Sequence, residues 1–431
     1  MRWILNAFYL SLLPWAAPYW LWKLPQARRY RAGLLGRLGL ALPRRAGAPR
    51  LWIHCASVGE ASIPRALVGQ FRTAHPEWEI VFSTCTDTGA VRLRELYPGS
   101  PVSYLPLDLS PCVDRALERI GPSAVLLVEL EMWPNFLLGC LQRRIPVAIV
   151  SGRINERSAG FLRGLTRLCP RLRQAVSVCS ARSGADAARF VQAGIAADKV
   201  FADGSLKYDT LLFEVDPAGQ EALRQRLGLA EGARVLVGGS IHPGEEEVLC
   251  RAYARLVGAC PDLRLILVPR HIEAAAAMGR RVEATGLPVV RKTDLDSGRR
   301  APSGTEVILV DTIGDLIPCY SLGTCAFVGR SLVRPGGGQN MMEPAALGKP
   351  IVVGPHMGNF QPEMELLRAK EAVIVAEDEA GLLSQFNRLL SDGEAARLLG
   401  QRARLAVMES RGATRRTLDR IEALLAERDL V

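Results

Sequence analysis

From Met1 to Gly59 the chain contains no Asp or Glu. Several familiar signatures are also missing from its 431 residues. The ten cysteines are scattered and no CxxC pair exists, which excludes a disulfide framework or a zinc ribbon and points to reduced thiols in a cytosolic body. His54, His75, His242, His271 and His356 show no HxxxH-type ligand spacing, so nothing in the pattern requires a metal. Asp294-Leu295-Asp296 lies among polar and basic residues and reads as a loop rather than a metal motif. No GxGxxG opens the first half, which argues against a dinucleotide-dependent dehydrogenase. Gly348-Lys349 is followed by Pro350 instead of Ser or Thr, so it is not a P-loop. No internal repeat or low-complexity segment is present.

What is there describes a globular chain, 48% hydrophobic and 23% charged, and long enough for two domains. Net charge is +10. The acid-free stretch carries Arg2, Lys23, Arg28, Arg29, Arg31, Arg37, Arg44, Arg45 and Arg50, so the basic excess gathers beside the N-terminus and the remainder is closer to balanced. That distribution suits an anionic membrane surface better than nucleic acid. Residues 3–22 are almost wholly apolar or aromatic. As a helix they would reach about 30 Å, the thickness of a bilayer core. Trp3, Trp15, Tyr19, Trp20 and Trp22 resemble an interfacial belt, and the basic residues that follow would face the cytoplasm. Pro14 and Pro18 weaken a straight helix. We expect a membrane anchor or interfacial helix over residues 1–24, the alternative being a helix packed on the protein.

After residue 50 short apolar runs alternate with helical patterns. Strands are expected at 51–54, 79–83, 102–105, 124–128, 146–150 and 175–179. A second series is expected at 235–238, 263–268, 289–290, 307–310, 324–328, 350–353 and 372–375. Residues 213–220 read as a linker, and the C-terminal stretch from 394 to 430 as helical. This pattern predicts an α/β protein of two Rossmann-like lobes, residues 25–212 and 213–431, with a cleft between them. In open parallel sheets ligands lie beyond the carboxyl ends of the strands, so strand-to-helix turns carry the chemistry.

Five such turns stand out. Ser57-Val58-Gly59-Glu60 offers a carboxylate able to take a proton, although Glu60 also suits a helix start. Glu129-Leu130-Glu131 places two carboxylates which, on a period of two, share one face, as a site or as a structural ion pair. Gly238 to Glu246 and Pro269-Arg270-His271 could hold or pair with an anion, or serve as a cap and a surface salt bridge. In Arg334-Pro335-Gly336-Gly337-Gly338-Gln339-Asn340-Met341-Met342-Glu343 a glycine run leads into a helix. Its N–H groups would cradle phosphate, and Glu343 would accept hydrogen bonds from ribose hydroxyls.

Taken in order, HCASVGE (54–60), YLPLDL (104–109), ELEMWPN (129–135), GSLKYD (204–209), SIHPGEE (240–246), LVPRH (267–271), DTIGDL (311–316) and GRSLVRPGGGQNMMEPAALGKPIVVGPHMGNF (329–360) make the chain resemble the 3-deoxy-D-manno-octulosonic acid (Kdo) transferases of lipid A assembly. The resemblance spans nearly the whole length. It implies a GT-B fold with the acceptor lobe first and the nucleotide-sugar lobe second. It also implies inverting transfer of Kdo from CMP-Kdo to lipid IVA, without a metal or other cofactor, at the cytoplasmic face of the bacterial inner membrane. By the same resemblance Glu60 is the general base, and Glu131 and Lys207 stabilise the transition state. Pro269, Arg270, Ile313, Gly314, Asp315, Asn340, Met341, Met342 and Glu343 then bind CMP. The chain departs from the family in Gln339, where a histidine is usual, in Asp315, where Glu is usual, and in residues 153–158, which keep only part of the pattern.

On this reading Glu60 deprotonates the acceptor hydroxyl, while Arg270 and the N–H groups near Gly337 and Asn340 offset the charge of departing CMP. The rival readings are another GT-B enzyme using a UDP-sugar, and a non-catalytic membrane-bound lipid- or nucleotide-binding protein.

Overall fold

The structure, a computed structural model, describes residues 2–11, 33–40, 42, 47–299, 306–428 and 430. The chain forms two compact units, residues 1–210 with 410–431, and residues 211–409. Each is built on a seven-stranded sheet whose paired neighbours are all parallel. These are the two Rossmann-like domains expected of a GT-B protein.

In the first unit the strands are β1 (Arg50–His54), β2 (Glu79–Thr84), β3 (Val102–Tyr104), β4 (Ala124–Val128), β5 (Val147–Gly152), β6 (Val178–Ala181) and β7 (Val200–Phe201), in the order β3-β2-β1-β4-β5-β6-β7. β1 and β4 are buried along their whole length, as strands covered on both faces must be. Strand order reverses between β1 and β4, so the ends of these two strands open the crevice where such sheets bind ligands. β7 is too short and too exposed to show in the hydropathy pattern. The expected strand at 175–179 begins three residues later, because Leu172–Ala175 forms a helical turn.

The second sheet repeats the design with β8 (Val235–Ile241), β9 (Arg264–Pro269), β10 (Val289–Arg291), β11 (Val307–Leu309), β12 (Cys325–Val328), β13 (Ile351–Val353) and β14 (Ile374–Val375), in the order β10-β11-β9-β8-β12-β13-β14. Its reversal falls between β8 and β12. The expected linker at 213–220 instead contains a helix start: Asp216 accepts a hydrogen bond from Gly219 N–H and Pro217 occupies the first turn.

The expected second domain ran to residue 431, but the last helix, Ala413–Ala426, belongs to the first unit. Leu418, Ile421 and Leu425 are buried in the same cluster as Leu51, Leu67 and Phe71, each such side chain contributing roughly 1.5–3 kcal/mol over exposure. Asp209 caps the helix, accepting from Gly412 N–H at 2.7 Å and Thr414 N–H at 2.6 Å. An amphipathic helix shows in sequence that it must pack, but not on which core.

The expected anchor, residues 1–24, lies partly outside the described residues. Residues 2–11 are helical and tied to the first unit on one side. Arg2 pairs with Asp114 at 2.9 Å, Asn6 accepts from Ser110 N–H at 3.0 Å, and the Tyr9 hydroxyl donates to Asp108 at 3.0 Å. Trp3, Ile4, Phe8 and Leu10 are exposed. No helix among the described residues is long and apolar enough to cross a membrane.

Candidate active site

Glu60 sits just beyond the end of β1, in the single helical turn Val58–Ala61. From the third position of that turn its carboxylate reaches back, accepting from Ala56 N–H at 2.8 Å and from the Ser57 hydroxyl at 2.9 Å. The helix-start role and an acid–base role therefore coexist. Burial raises the Glu60 pKa, the two hydrogen bonds oppose this, and the charges of Glu131 and Glu129 raise it further, leaving it above the ordinary glutamate value. A half-buried carboxylate with an elevated pKa beside two others fits a proton acceptor.

The two other carboxylates lie at the end of the neighbouring strand, β4, but not as expected. The strand stops at Val128, and Glu129 takes φ +61°, so strand alternation does not extend to Glu131 and the two side chains find different partners. Glu129 accepts from Lys207 Nζ at 3.3 Å. Glu131 accepts from Trp133 Nε1 at 2.7 Å and lies 3.5 Å from His54 Nε2. The resemblance groups Lys207 with Glu131 in one role, and the structure puts Glu129 in direct contact with Lys207.

His54, the last residue of β1, is fully buried. Its Nδ1 faces the Ser83 carbonyl at 3.1 Å and the Ser83 hydroxyl at 2.9 Å, and its Nε2 is 3.8 Å from Cys85 Sγ. Burial lowers the imidazole pKa, but Cys85 and Glu131 beside it raise it more, to about 9. Neither His54 nor Cys85 is marked by local spacing, because the partners come from three strands.

In the second unit the reversal between β8 and β12 is held by Glu245. This fully buried carboxylate accepts four backbone N–H groups, those of His242 (3.0 Å), Arg330 (2.7 Å), Ser331 (2.9 Å) and Leu332 (3.0 Å). A side chain at Gly329 would collide with the Ser240 carbonyl and the Glu245 carboxylate. The Gly-Arg-Ser-Leu run is thereby fastened to the end of β8. Local spacing does not mark Glu245 as an anchor, because three of its four partners lie 85 to 87 residues away.

Arg270 follows β9 with its side chain exposed. Its backbone N–H donates to the Ile241 carbonyl at 3.1 Å. Pro269 is the last residue of the strand. Glu343 is raised by burial, and Asn340 and the positive charge of Arg270 partly offset that. Asn340 Nδ2 donates to Glu343 at 3.0 Å, and Asn340 Oδ1 accepts from Met342 N–H at 3.1 Å. Met341 and Met342 are buried in the core, so only their backbone can face a ligand. Gln339, in place of the usual histidine, lies 3.2 Å from His242 Nε2.

The glycine run differs from the expected phosphate cradle at Gly337 and Gly338. Gly337 N–H donates to the His356 carbonyl at 2.9 Å, and Gly338 N–H donates to the Arg330 carbonyl at 2.7 Å, so these two amides are engaged within the protein. At Gly338, with φ +77°, a side chain would strike Met357. The glycines permit close passage of backbone. A surface pocket of about 710 Å³ opens beside them, lined by Arg334, Gly336, Gly337 and His356.

In the turn 313–315, Ile313 is 89% exposed, Gly314 has φ +96°, and Asp315 accepts from the Thr312 hydroxyl and lies 3.4 Å from Lys292 Nζ. Asp296 pairs with Lys292 at 2.6 Å and Asp294 with Arg299 at 3.0 Å, so both carboxylates of Asp294-Leu295-Asp296 face cations of the protein.

Other motifs prove structural. Asp108 of YLPLDL accepts the Asn135 and Phe136 N–H groups, and burial, opposed by those bonds, lifts its pKa to about 6. Asn135 of ELEMWPN is fully buried and donates to the Asp108 carbonyl at 2.6 Å.

Comparison with known proteins agrees with this layout. Residues 32–210 match a family profile described as 3-deoxy-D-manno-octulosonic-acid transferase (kdotransferase). The 3-deoxy-D-manno-octulosonic acid transferase of Bordetella pertussis is 31% identical, covering 97% of this chain and 98% of its own. That of Haemophilus influenzae is 30% identical over the same shares. Among solved structures, the UDP-GlcNAc 2-epimerase from Neisseria meningitidis shares the fold with a TM-score of 0.57 at 12% identity, over 87% of this chain and 100% of that one. The full-length match to the transferases shows that this chain belongs to the 3-deoxy-D-manno-octulosonic acid transferase family and is a glycosyltransferase.

Proposed function

We propose that the protein transfers Kdo from CMP-Kdo to the lipid A precursor lipid IVA, with inversion, using Glu60 as general base. The observation that carries this reading is the cluster at the reversal of the first sheet. There Glu60, with its raised pKa, stands within electrostatic reach of Glu129 and Glu131, and Lys207 pairs with Glu129. Glu60 takes the proton of the attacking hydroxyl. Lys207, held by Glu129, and Glu131 answer the charge redistribution as the anomeric carbon changes partner. In the second unit Arg270 pairs with the CMP phosphate, and Asn340 and Glu343 accept or donate at the ribose. Pro269, Ile313, Gly314 and Asp315, with the backbone of Met341 and Met342, complete the nucleotide contacts.

A membrane surface at the cytoplasmic face is the setting that fits. The exposed side chains of Trp3, Ile4, Phe8 and Leu10 form an apolar face on the helical segment 2–11, and the acid-free sequence around it attracts anionic headgroups.

The test is incubation with CMP-Kdo and lipid IVA, with products resolved by mass, which also counts the sugars added. A mass increase of whole Kdo units is expected. No increase with CMP-Kdo, or displacement of bound CMP by UDP at equal concentration, would overturn the donor assignment.

A further inference from the structure

We propose that His54, Cys85 and Glu131 form a site for a thiophilic divalent cation, zinc above all, whose binding withdraws Glu131 from the transfer reaction. One ligand atom from each residue lies within 4.8 Å of the other two. His54 Nε2 stands 3.8 Å from Cys85 Sγ and 3.5 Å from Glu131 Oε2. In a tetrahedral zinc site with bonds of about 2.0–2.3 Å to nitrogen, oxygen and sulfur, neighbouring ligand atoms are about 3.4–3.6 Å apart. The two separations from Nε2 need to close by only a few tenths of an ångström, and Cys85 Sγ and the Glu131 carboxylate, within 4.8 Å of each other, are drawn together by rotation of the two side chains. An imidazole, a thiol and a carboxylate together are a zinc-type donor set, whereas magnesium or calcium would call for oxygen alone.

The surroundings also fit. The three residues follow or end β2, β1 and β4, which are adjacent in the sheet, so rigid elements hold them. The His54 ring is oriented from behind. With Nδ1 assigned as the donor to the Ser83 carbonyl 3.1 Å away, Nε2 is the nitrogen that faces the other two ligands. The Ser83 hydroxyl, 2.9 Å from Nδ1, is itself held by Trp52 Nε1 at 2.8 Å. Such a partner behind a ligating histidine is the usual outer support of a zinc site. Access comes from the other side, since Cys85 alone of the ten free cysteines is partly exposed rather than buried, and the Glu131 side chain is 18% exposed. The cation takes the place of any proton that Nε2 holds towards Cys85 and Glu131, the Cys85 thiol gives up its own, and a water or substrate oxygen completes the fourth position.

That occupancy inhibits transfer rests on the role proposed above for Glu131, whereas the binding itself does not, so the test reads the two separately. The full chain is titrated with Co²⁺ as a spectroscopic probe and with Zn²⁺ in competition with a chelating dye, for the wild type and Cys85→Ser. The expected result is one equivalent of bound metal with a thiolate-to-cobalt charge-transfer band. In Cys85→Ser the band is absent and zinc affinity falls by at least the roughly tenfold that loss of even an outer-shell partner costs. Zinc then inhibits wild-type transfer reversibly, and Cys85→Ser keeps its basal rate and resists. A wild type without the band, or with zinc affinity equal to that of Cys85→Ser, would overturn the site. The band together with undiminished transfer at saturating zinc would overturn the inhibitory role and also count against Glu131 in the reaction.

Discussion

Lys207 Nζ lies 3.3 Å from Glu129, a residue held at φ +61° where L-amino acids are strained. A glycine would occupy that backbone more easily, so a glutamate there suggests that its carboxylate is needed. The Lys207 side chain is 43% exposed, and a pair this open contributes at most about 1 kcal/mol to folding. Glu129→Gly should therefore leave stability unchanged or raise it by up to about 1 kcal/mol, while transfer falls because Lys207 is no longer held. Lys207→Met should lose activity similarly, and the double variant should be little worse than either single one. Thermal denaturation and kcat/KM for the four proteins check this. Additive losses would show that the two residues act independently.

Glu60 should show its raised pKa in the pH dependence of transfer. A base works only when ionised, so activity falls as pH drops through its pKa, and that acid limb should lie above the value of about 4.3 typical of glutamate. The sign for folding is opposite to that of a carboxylate held low: a raised pKa in the folded state means the stability tied to the proton is present at low pH and lost as pH rises through it. Glu60→Gln, which is neutral throughout, should consequently be at least as stable as the wild type at neutral pH, with transfer lowered by roughly 10²–10⁴-fold. A rate profile from pH 4 to 9 with melting curves on both proteins checks the pair of claims. Near-normal turnover in Glu60→Gln would remove Glu60 from the base role.

The sheets were legible in the sequence because parallel strands buried on both faces read as apolar runs, and thirteen of the fourteen strands among the described residues overlap one. Glu60 was legible because its partners Ala56 and Ser57 are local. Contacts across the sheet were not. Whether Lys207 meets Glu129 or Glu131 depends on where β4 ends and on a single positive φ. Cys85 gains meaning only beside His54, and Asp209 shows its job only once the final helix returns to the first unit. The glycine run was legible as a turn, but the partners of its amides, His356 and Arg330, depend on a β13 loop and a β12 loop meeting.

Glu245 offers a test of architecture as distinct from chemistry. Four backbone donors converge on a carboxylate with no exposure, so Glu245→Ala strands several buried N–H groups, each costing about 1–3 kcal/mol unless water reaches it. The net loss should be about 3–5 kcal/mol, read from the urea midpoint of the transition assigned to the second unit by hydrogen exchange. CMP affinity should fall with it, since the 329–332 segment leads into the glycine run. Glu245→Gln should recover only part, because one of its two acceptor positions becomes a donor facing donors. A midpoint unchanged in Glu245→Ala would mean that the loop is held by other contacts.

The apolar face at the N-terminus can be separated from the fold that carries it. Arg2, Asn6 and Tyr9 hold residues 2–11 to the rest of the first unit through Asp114, Ser110 and Asp108, whereas Trp3 and Ile4 are 76% and 67% exposed. Deleting the segment would break both sets of contacts together. Replacing Trp3 and Ile4 by serine removes only outward side chains, so the melting temperature should hold. Binding to vesicles containing anionic lipid should weaken substantially, since full burial of such a side chain is worth roughly 1.5–3 kcal/mol. Transfer to a lipid acceptor in vesicles should fall in parallel, and transfer to the same acceptor dispersed in detergent should not. Co-sedimentation and the two assays decide the matter: undiminished vesicle binding would mean that another surface meets the membrane.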